Sequence, residues 1–524
     1  MRDANGKNHA LLLRIHDGEK KHLWAMPLKL LANWADLNEA LLDFGMMTPT
    51  TVTNQTHLKN FLMQVRPEKK FRCVDKAGWH GNQYVFPDGL IIGQGEDQES
   101  VYPINEICPK GVKQKGTLLE WQTNVLPLCI GNSRLLFSIG VALASICLSL
   151  INEEGGGFNF KGRSSTGKTK CLKLTISVFG SSDYKRTWRV TANGLEAICS
   201  LYNDSLLPLD EFGQSEAKEV GQMMYTIAQG VGKQRSDRTG GAREPKTWTT
   251  LVFSTGEVGL DEHVQEGKKQ VKAGQLVRFI DIPAEVTNGY GCFETIHGRK
   301  DGEEFANELD WLCTEYYGTA ARAFIQEIID HGIHNVCRDL RFAIDDFAAD
   351  CARNYDGQIK RSARRFGTVY AALSFAIKRM FLGKEITEDM AKWAITKCFN
   401  DWLNDRGTTG DMESYHLINQ VKGLLNENAE GKFLEINAVD EKPIRQSIWG
   451  YRNGAKFYVL PKAFKENICS GFNSRQAADI LAEHGLICKD HEGKNSRAER
   501  IPAHIKSVDR FYVIDLNQEI SNEK

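Results

Sequence analysis

The spacing of apolar and polar positions changes along the chain, and each change predicts a different kind of structure. Over residues 1–120, short apolar runs alternate with turn residues. Leu11 to Ile15 and Tyr84 to Phe86 read as strands, Asp88-Gly89 as a turn, and Leu28 to Leu42 has helical spacing. This predicts a small α+β domain. Over 121–295, strand-length apolar runs alternate with helical patterns, which predicts a parallel α/β sheet. Over 296–408 the pattern is helical throughout. Its aromatic residues, Trp311, Phe324, Phe347, Phe366, Phe375, Trp393 and Trp402, read as core. Over 409–524 a helix, strands and turns lead to a short helix, Ser474 to His484. A basic loop (Lys489 to Arg500) and a closing strand (Phe511 to Ile514) follow, the order expected of a winged helix. The first strand starts almost at Met1, so the chain is expected to be the C-terminal part of a longer architecture.

The longest uncharged apolar run, Leu135 to Ile151, falls short of the ~20 residues of a membrane span. It carries Ser138, Gly140, Ser145 and Ser149. A buried helix is the expectation, with no membrane partner. Lys plus Arg total 66 and Asp plus Glu 67, so the net charge is −1. Any affinity for nucleic acid must therefore come from local basic clusters. Thirteen cysteines are scattered between Cys73 and Cys488 without a C-x-x-C pair. With no secretory leader pattern at Met1 to Leu11, they read as reduced thiols of a cytoplasmic protein, not as disulfides or zinc ligands.

The sharpest chemical signal is Gly162-Arg163-Ser164-Ser165-Thr166-Gly167-Lys168-Thr169. It fits G-x-x-x-x-G-K-[ST] at every fixed position, after a strand-like run (Phe158 to Phe160) and before a helical one (Lys170 to Phe179). Glycines let backbone N–H groups wrap phosphates, and a helix N-terminus adds partial positive charge. Lys168 is expected to reach the β- and γ-phosphates of ATP, and Thr169 to ligate Mg²⁺.

Downstream, Leu206-Leu207-Pro208-Leu209-Asp210-Glu211 is an apolar strand ending in two carboxylates, the Walker B pattern. Asp210 is expected to hold Mg²⁺. Glu211 is expected to polarise the attacking water, which a hydrolase needs and a small-molecule kinase does not. Thr191 to Glu196 looks like a loop capping a helix. A further helix spans about Ala217 to Gln229. Residues 230–246 then carry five basic and two acidic side chains, including Lys233, Arg235, Arg238 and Arg243. They are either DNA contacts or a solvated loop. The strand Trp248 to Phe253 ends in Ser254-Thr255-Gly256-Glu257, where Ser254 or Thr255 is placed to sense a γ-phosphate. Arg278, entering an apolar strand, is either a salt-bridge residue or an arginine finger for a neighbouring subunit's ATP. Arg361, Arg364 and Arg365 share a helical face, and one of them is a candidate sensor arginine.

These segments, with Arg278-Phe279-Ile280-Asp281-Ile282-Pro283, Ala77-Gly78-Trp79-His80-Gly81-Asn82 and Val85-Phe86-Pro87-Asp88, resemble the domain-of-unknown-function family 927. Some members of that family look like MCM-type AAA+ helicases of mobile elements and phages. The resemblance implies a ring-forming, hexameric ATP-dependent DNA helicase acting on single-stranded or forked DNA, at times beside a primase or TOPRIM partner. It implies an AAA+ core with a helical lid, Arg278 acting in trans, and a hairpin within 230–246 that grips DNA. Two other readings stay open: an ATPase that remodels protein partners, and a nucleotide-gated DNA-binding initiator.

Overall fold

The computed structural model describes residues 9–67, 71–74, 76–94, 100–103, 109–236, 242–243, 245–267, 269, 271–287, 289–408, 410–436, 448–499 and 509–517. They form two units, Met1–Asp405 and Arg406–Lys524.

The first unit is built on a parallel sheet of five strands. These are β1 (Gly156–Lys161), β2 (Arg186–Thr187), β3 (Ser205–Asp210), β4 (Thr250–Gly256) and β5 (Phe279–Pro283), in spatial order β5-β1-β4-β3-β2. The long strands β3 and β4 are buried along their whole length, as expected where helices cover both faces of a parallel sheet. The strand carrying the phosphate-loop motif is therefore separated from the Asp210-Glu211 strand by β4.

The helices that follow these strands are α2 (Lys168–Ser177), α3 (Ala192–Leu201) and α4 (Val220–Gln229). The apolar run seen in the sequence is α1 (Ser133–Ile151). It is long and apolar enough to cross a membrane, yet 89% of it is buried inside the protein. Phe137 on α1 packs edge-on against Phe158 at 5.0 Å, and Phe160 against Phe253 at 4.9 Å, joining helix and sheet.

A helical region completes this unit: α5 (Gly302–Glu315), α6 (Ala320–His331), α7 (Ile333–Ala352), α8 (Gly357–Lys378) and α9 (Glu388–Arg406). Phe366 of α8 meets Phe158 of β1 at 5.4 Å, so these helices share the core of the sheet.

Ahead of α1, strands Ala10–His16 and Lys21–Pro27 pair antiparallel and close a small core with Leu37, Leu41 and Leu62. The helix expected over Leu28 to Leu42 is broken. A 3₁₀ turn ends before Asn33, whose side chain accepts from Ala35 N at 3.0 Å and caps the helix Trp34–Asp43.

The Gly78-Trp79 motif docks on the turn before β3, where Trp79 N donates to Asp204 Oδ2 at 3.0 Å. Gly78 has φ +107°, and a Cβ there would sit 2.2 Å from the same carboxylate oxygen. Only glycine fits.

In the second unit, helices Met412–Lys432 and Ser474–Glu483 pack on a mixed five-stranded sheet through Leu417, Leu425, Phe457, Leu481 and Ile514. An antiparallel pair, Arg497–Glu499 with Asp509–Asp515, follows the second helix. The sheet is broader than the helix-loop-strand pattern expected from the sequence. Arg500, at the end of the expected basic loop, lies outside the described residues.

Candidate nucleotide site

The phosphate loop leaves the C-terminal end of β1 and turns into α2. Its turn needs unusual backbone angles: Gly162 has φ +153°, Ser165 +64° and Gly167 +100°. At Gly167 the space is closed as well, because a Cβ would lie 2.9 Å from the Phe293 ring. Lys168, the first residue of α2, is buried. Its ammonium curls back over the loop, donating to Gly162 O at 2.7 Å and Arg163 O at 2.5 Å. Burial pushes its pKa down. Arg163 reaches outward instead and forms a bidentate pair with Glu285, at 3.0 and 2.7 Å. That pairing holds the Glu285 carboxyl below its usual range.

Asp210 ends β3 beside the tip of β4. Thr255 Oγ1 donates to Asp210 Oδ1 at 2.5 Å, and Lys185 Nζ lies 2.7 Å from Oδ2. Glu211 then takes a left-handed conformation, φ +59°, which is uncommon for a non-glycine residue. It turns the carboxylate into solvent, where the Gln214 amide donates to it.

A cavity of about 1210 Å³ joins these parts. The loop residues Ser164 to Lys170 line one wall, and Asp210, Glu211 and Thr255 another. Thr169 and Asp210 offer a hydroxyl and a carboxylate, the hard oxygen donors that suit Mg²⁺. Among the described residues no group of three His, Cys, Asp or Glu could hold a metal, so a cation here would rely on phosphate oxygens as well.

The structure separates the two sensor candidates. Neighbouring side chains on a strand face opposite ways. Thr255 faces the cavity, whereas Ser254 is fully buried and accepts from Trp188 Nε1 at 2.9 Å.

It also gathers three arginines elsewhere. β1 and β5 run parallel, with Phe279 beside Gly157 and Pro283 beside Lys161. The phosphate loop starts at one end of this pair and Arg278 at the other, about 13 Å of strand away. Arg278 Nη2 lies 3.3 Å from Glu154, Nη1 donates to Gly274 O at 3.1 Å, and the guanidinium sits 5.5 Å over the Tyr225 ring. Arg365 donates to Gly155 O at 2.8 Å, and burial lowers its pKa to about 10. Arg364 binds Glu153 at 2.8 Å and also Asp345. None of the three touches the cavity of its own chain, contrary to what a cofactor-binding role for Arg364 and Arg365 within one subunit would need. Arg361 donates to Gly357 O on the exposed side of α8.

Within the basic segment two short stretches pair antiparallel. Arg235 pairs with Arg243 and Ser236 with Ala242, and Gly232 N donates to Lys246 O at 2.8 Å. Lys233 is exposed at its base. Of Arg235 and Arg243 the backbone alone is described, and Arg238 lies outside the described residues.

Sequence reasoning missed Lys185, Glu285 and the Tyr290–Phe293 segment. Lys185 is 25 residues from its partner Asp210, and no local motif links the two. Cys292 N donates to Thr166 O at 2.8 Å, which clamps the segment onto the phosphate loop across the sheet.

Residues 1–247 match the model of the family described as Domain of unknown function (DUF927). No curated protein matches the chain significantly in sequence. Among solved structures, "SCCmec type IV Cch - active helicase" shares the fold at a TM-score of 0.69 and 17% identity, over 96% of this chain and 90% of that one. A putative ATPase from Cytophaga hutchinsonii ATCC 33406 (13% identity, 54% of this chain and 86% of that one) reaches a TM-score of only 0.29.

Proposed function

Residues 1–247 belong to the DUF927 family, and from that premise we propose that the chain is an ATP-hydrolysing P-loop motor of the AAA+ kind that moves along DNA. One observation carries the reading. The phosphate loop and the Asp210-Glu211 tip face one cavity, with Thr255 of the intervening strand between them, in a fold shared with an active helicase.

In this reading the loop amides and Lys168 hold the β- and γ-phosphates, exchanging the loop's own carbonyls for phosphate oxygens. Thr169 and Asp210 hold Mg²⁺. Glu211, aimed by its left-handed backbone and Gln214, polarises the attacking water. Thr255 couples Asp210 to the γ-phosphate. Arg278, with Arg364 and Arg365 beside it, serves the cavity of the next subunit in a hexameric ring. The hairpin 230–246 presents Lys233, Arg235, Arg238 and Arg243 to DNA phosphates. The helices of 296–408 form the lid. The second unit serves as a winged-helix-like reader. The substrate is single-stranded or forked DNA of a mobile element or prophage.

The test is strand displacement on forked DNA with ATP and Mg²⁺. The expected result is ATP-dependent displacement by the wild type and none by Lys168→Ala. DNA-stimulated ATPase without displacement would replace the helicase reading with translocation or gated binding. ATPase indifferent to DNA would favour a protein-remodelling role.

A further inference from the structure

The cavity extends beyond the phosphate loop, and its far end has a different chemistry. There it is lined by Tyr290, Gly302, Glu303, Ala306 and Asn307. The lysines among its lining residues, Lys168 and Lys170, belong to the loop and α2, and Lys170 is already neutralised by Asp310 at 2.7 Å. With Glu303 and no cation, the far end does not suit another phosphate. It suits a flat, uncharged ring.

Two side chains are placed for such a ring. Tyr290 is 50% exposed, whereas Cys292 and Phe293, two and three residues on, are buried. Its backbone is fixed: Tyr290 N donates to Phe293 O at 2.7 Å, and the adjoining Gly291 lies so close to the loop that a Cβ there would sit 2.3 Å from Thr166 O. On the other side, Gly302 lies against the Tyr290 Cβ, at 3.0 Å from an added methyl. The phenol ring therefore stands between the phosphate loop and α5, held by backbone and not by its own hydroxyl. Glu303, Asn307 and Asp310 share one face of α5 at helical spacing. Asp310 binds Lys170, the residue after the Mg²⁺-ligand candidate Thr169, so this face meets the start of α2. Asn307 lies one turn from that contact, exposed and lining the cavity.

We propose that this end of the cavity is the nucleobase subsite, with Tyr290 stacking on a purine and Asn307 reading its edge as adenine. The inference rests on the phosphate-binding reading above and names the part of the nucleotide that lies beyond the phosphates. An aromatic ring gives a base stacking that hydrogen bonds alone do not supply. A carboxamide offers a donor and an acceptor side by side, which matches the N6–H₂ and N7 of adenine and opposes the O6 and N7 acceptors of guanine. Tyr290 sets affinity for the base, and Asn307 sets its identity.

The experiment is calorimetric titration of the full chain with ATP, GTP, CTP and inorganic tripolyphosphate in Mg²⁺. Wild type, Tyr290→Ala, Tyr290→Phe, Asn307→Ala and Lys168→Ala are compared. ATP is expected to bind the wild type more tightly than GTP or CTP. Tyr290→Ala is expected to weaken ATP roughly tenfold or more while leaving tripolyphosphate unchanged. Tyr290→Phe, which keeps the ring, retains ATP affinity. Asn307→Ala narrows the ratio of ATP to GTP affinity. The subsite is overturned if Tyr290→Ala leaves ATP affinity intact while Lys168→Ala lowers it. It is overturned too if Tyr290→Ala weakens tripolyphosphate as much as ATP, since the ring would then only prop the loop. A wild type that binds neither ATP nor tripolyphosphate would reject the phosphate-loop reading itself, and with it this one.

Discussion

At the scale of single residues, the site divides by what local sequence can encode. Glycines, a lysine and a threonine at fixed spacing announce a phosphate loop because every part of that device lies within one turn of chain. Glu211 is equally legible, and the structure adds its left-handed backbone, a conformation that costs on the order of 1–3 kcal/mol and persists where surroundings impose it. Glu211→Gln is expected to bind ATP with near-normal affinity while turnover falls at least ~100-fold, measured by nucleotide titration and phosphate release. Retained turnover would remove Glu211 from the role of base. The two β4 candidates make a sharper pair. Ser254→Ala leaves the buried Trp188 N–H unpaired, so it is expected to lower stability by about 1–3 kcal/mol with little change in ATPase. Thr255→Val frees an Asp210 oxygen and is expected to lower ATPase with little change in melting temperature. The reverse pattern would exchange their roles. The sequence could not choose between them, because strand alternation fixes only that they face opposite ways, not which face holds the cavity.

At the scale of elements, what was legible followed from length and periodicity. The run Leu135 to Ile151 proclaimed a helix, and its serines and glycine fit a buried one. The helix over Leu28 to Leu42 was misjudged because Asn33 satisfies a backbone N–H from its side chain, and a cap of that kind outcompetes continuation of the helix. The segment 230–246 looked like a loop because its paired stretches, Arg235–Ser236 and Ala242–Arg243, are too short and too polar to alternate. Replacing Lys233, Arg235, Arg238 and Arg243 together by Ala is expected to abolish DNA stimulation of the ATPase and leave basal turnover largely intact. The slope of log affinity for single-stranded DNA against log salt should flatten by about 0.7 per lost phosphate contact. An unchanged slope would assign the hairpin to solvent and send the search for DNA contacts to the basic stretch after Lys489.

At the scale of the whole molecule, the telling feature is a distance. Arg278 enters β5 at the end of the sheet opposite the phosphate loop, where Glu153, Glu154 and Arg365 already stand. About 13 Å of strand separates it from its own loop, so it has no path to its own γ-phosphate. The arginine cluster is nonetheless costly to leave idle. Arg278 Nε is buried with no hydrogen-bond partner, and Arg365 is buried deeply enough to depress its pKa. A ring of subunits gives both a use, since each would present this edge to the next cavity and place a guanidinium at the charge that develops on the transferred phosphate. The consequence is measurable. Arg278→Ala alone is expected to bind ATP and not hydrolyse it, and Lys168→Ala alone to bind it more weakly and not hydrolyse it. Mixed in equal amounts and allowed to reassemble, about one interface in four would pair an intact phosphate loop with an intact arginine. Turnover should then return in part, and only in the mixture. A melting curve of Arg278→Ala matching the wild type separates this from loss of folding, because the contacts with Glu154 and Tyr225 are lost in the same variant. Mixtures shown to co-assemble that stay inactive would make Arg278 a structural residue of its own chain, pairing with Glu154, and leave the transition-state charge to other groups.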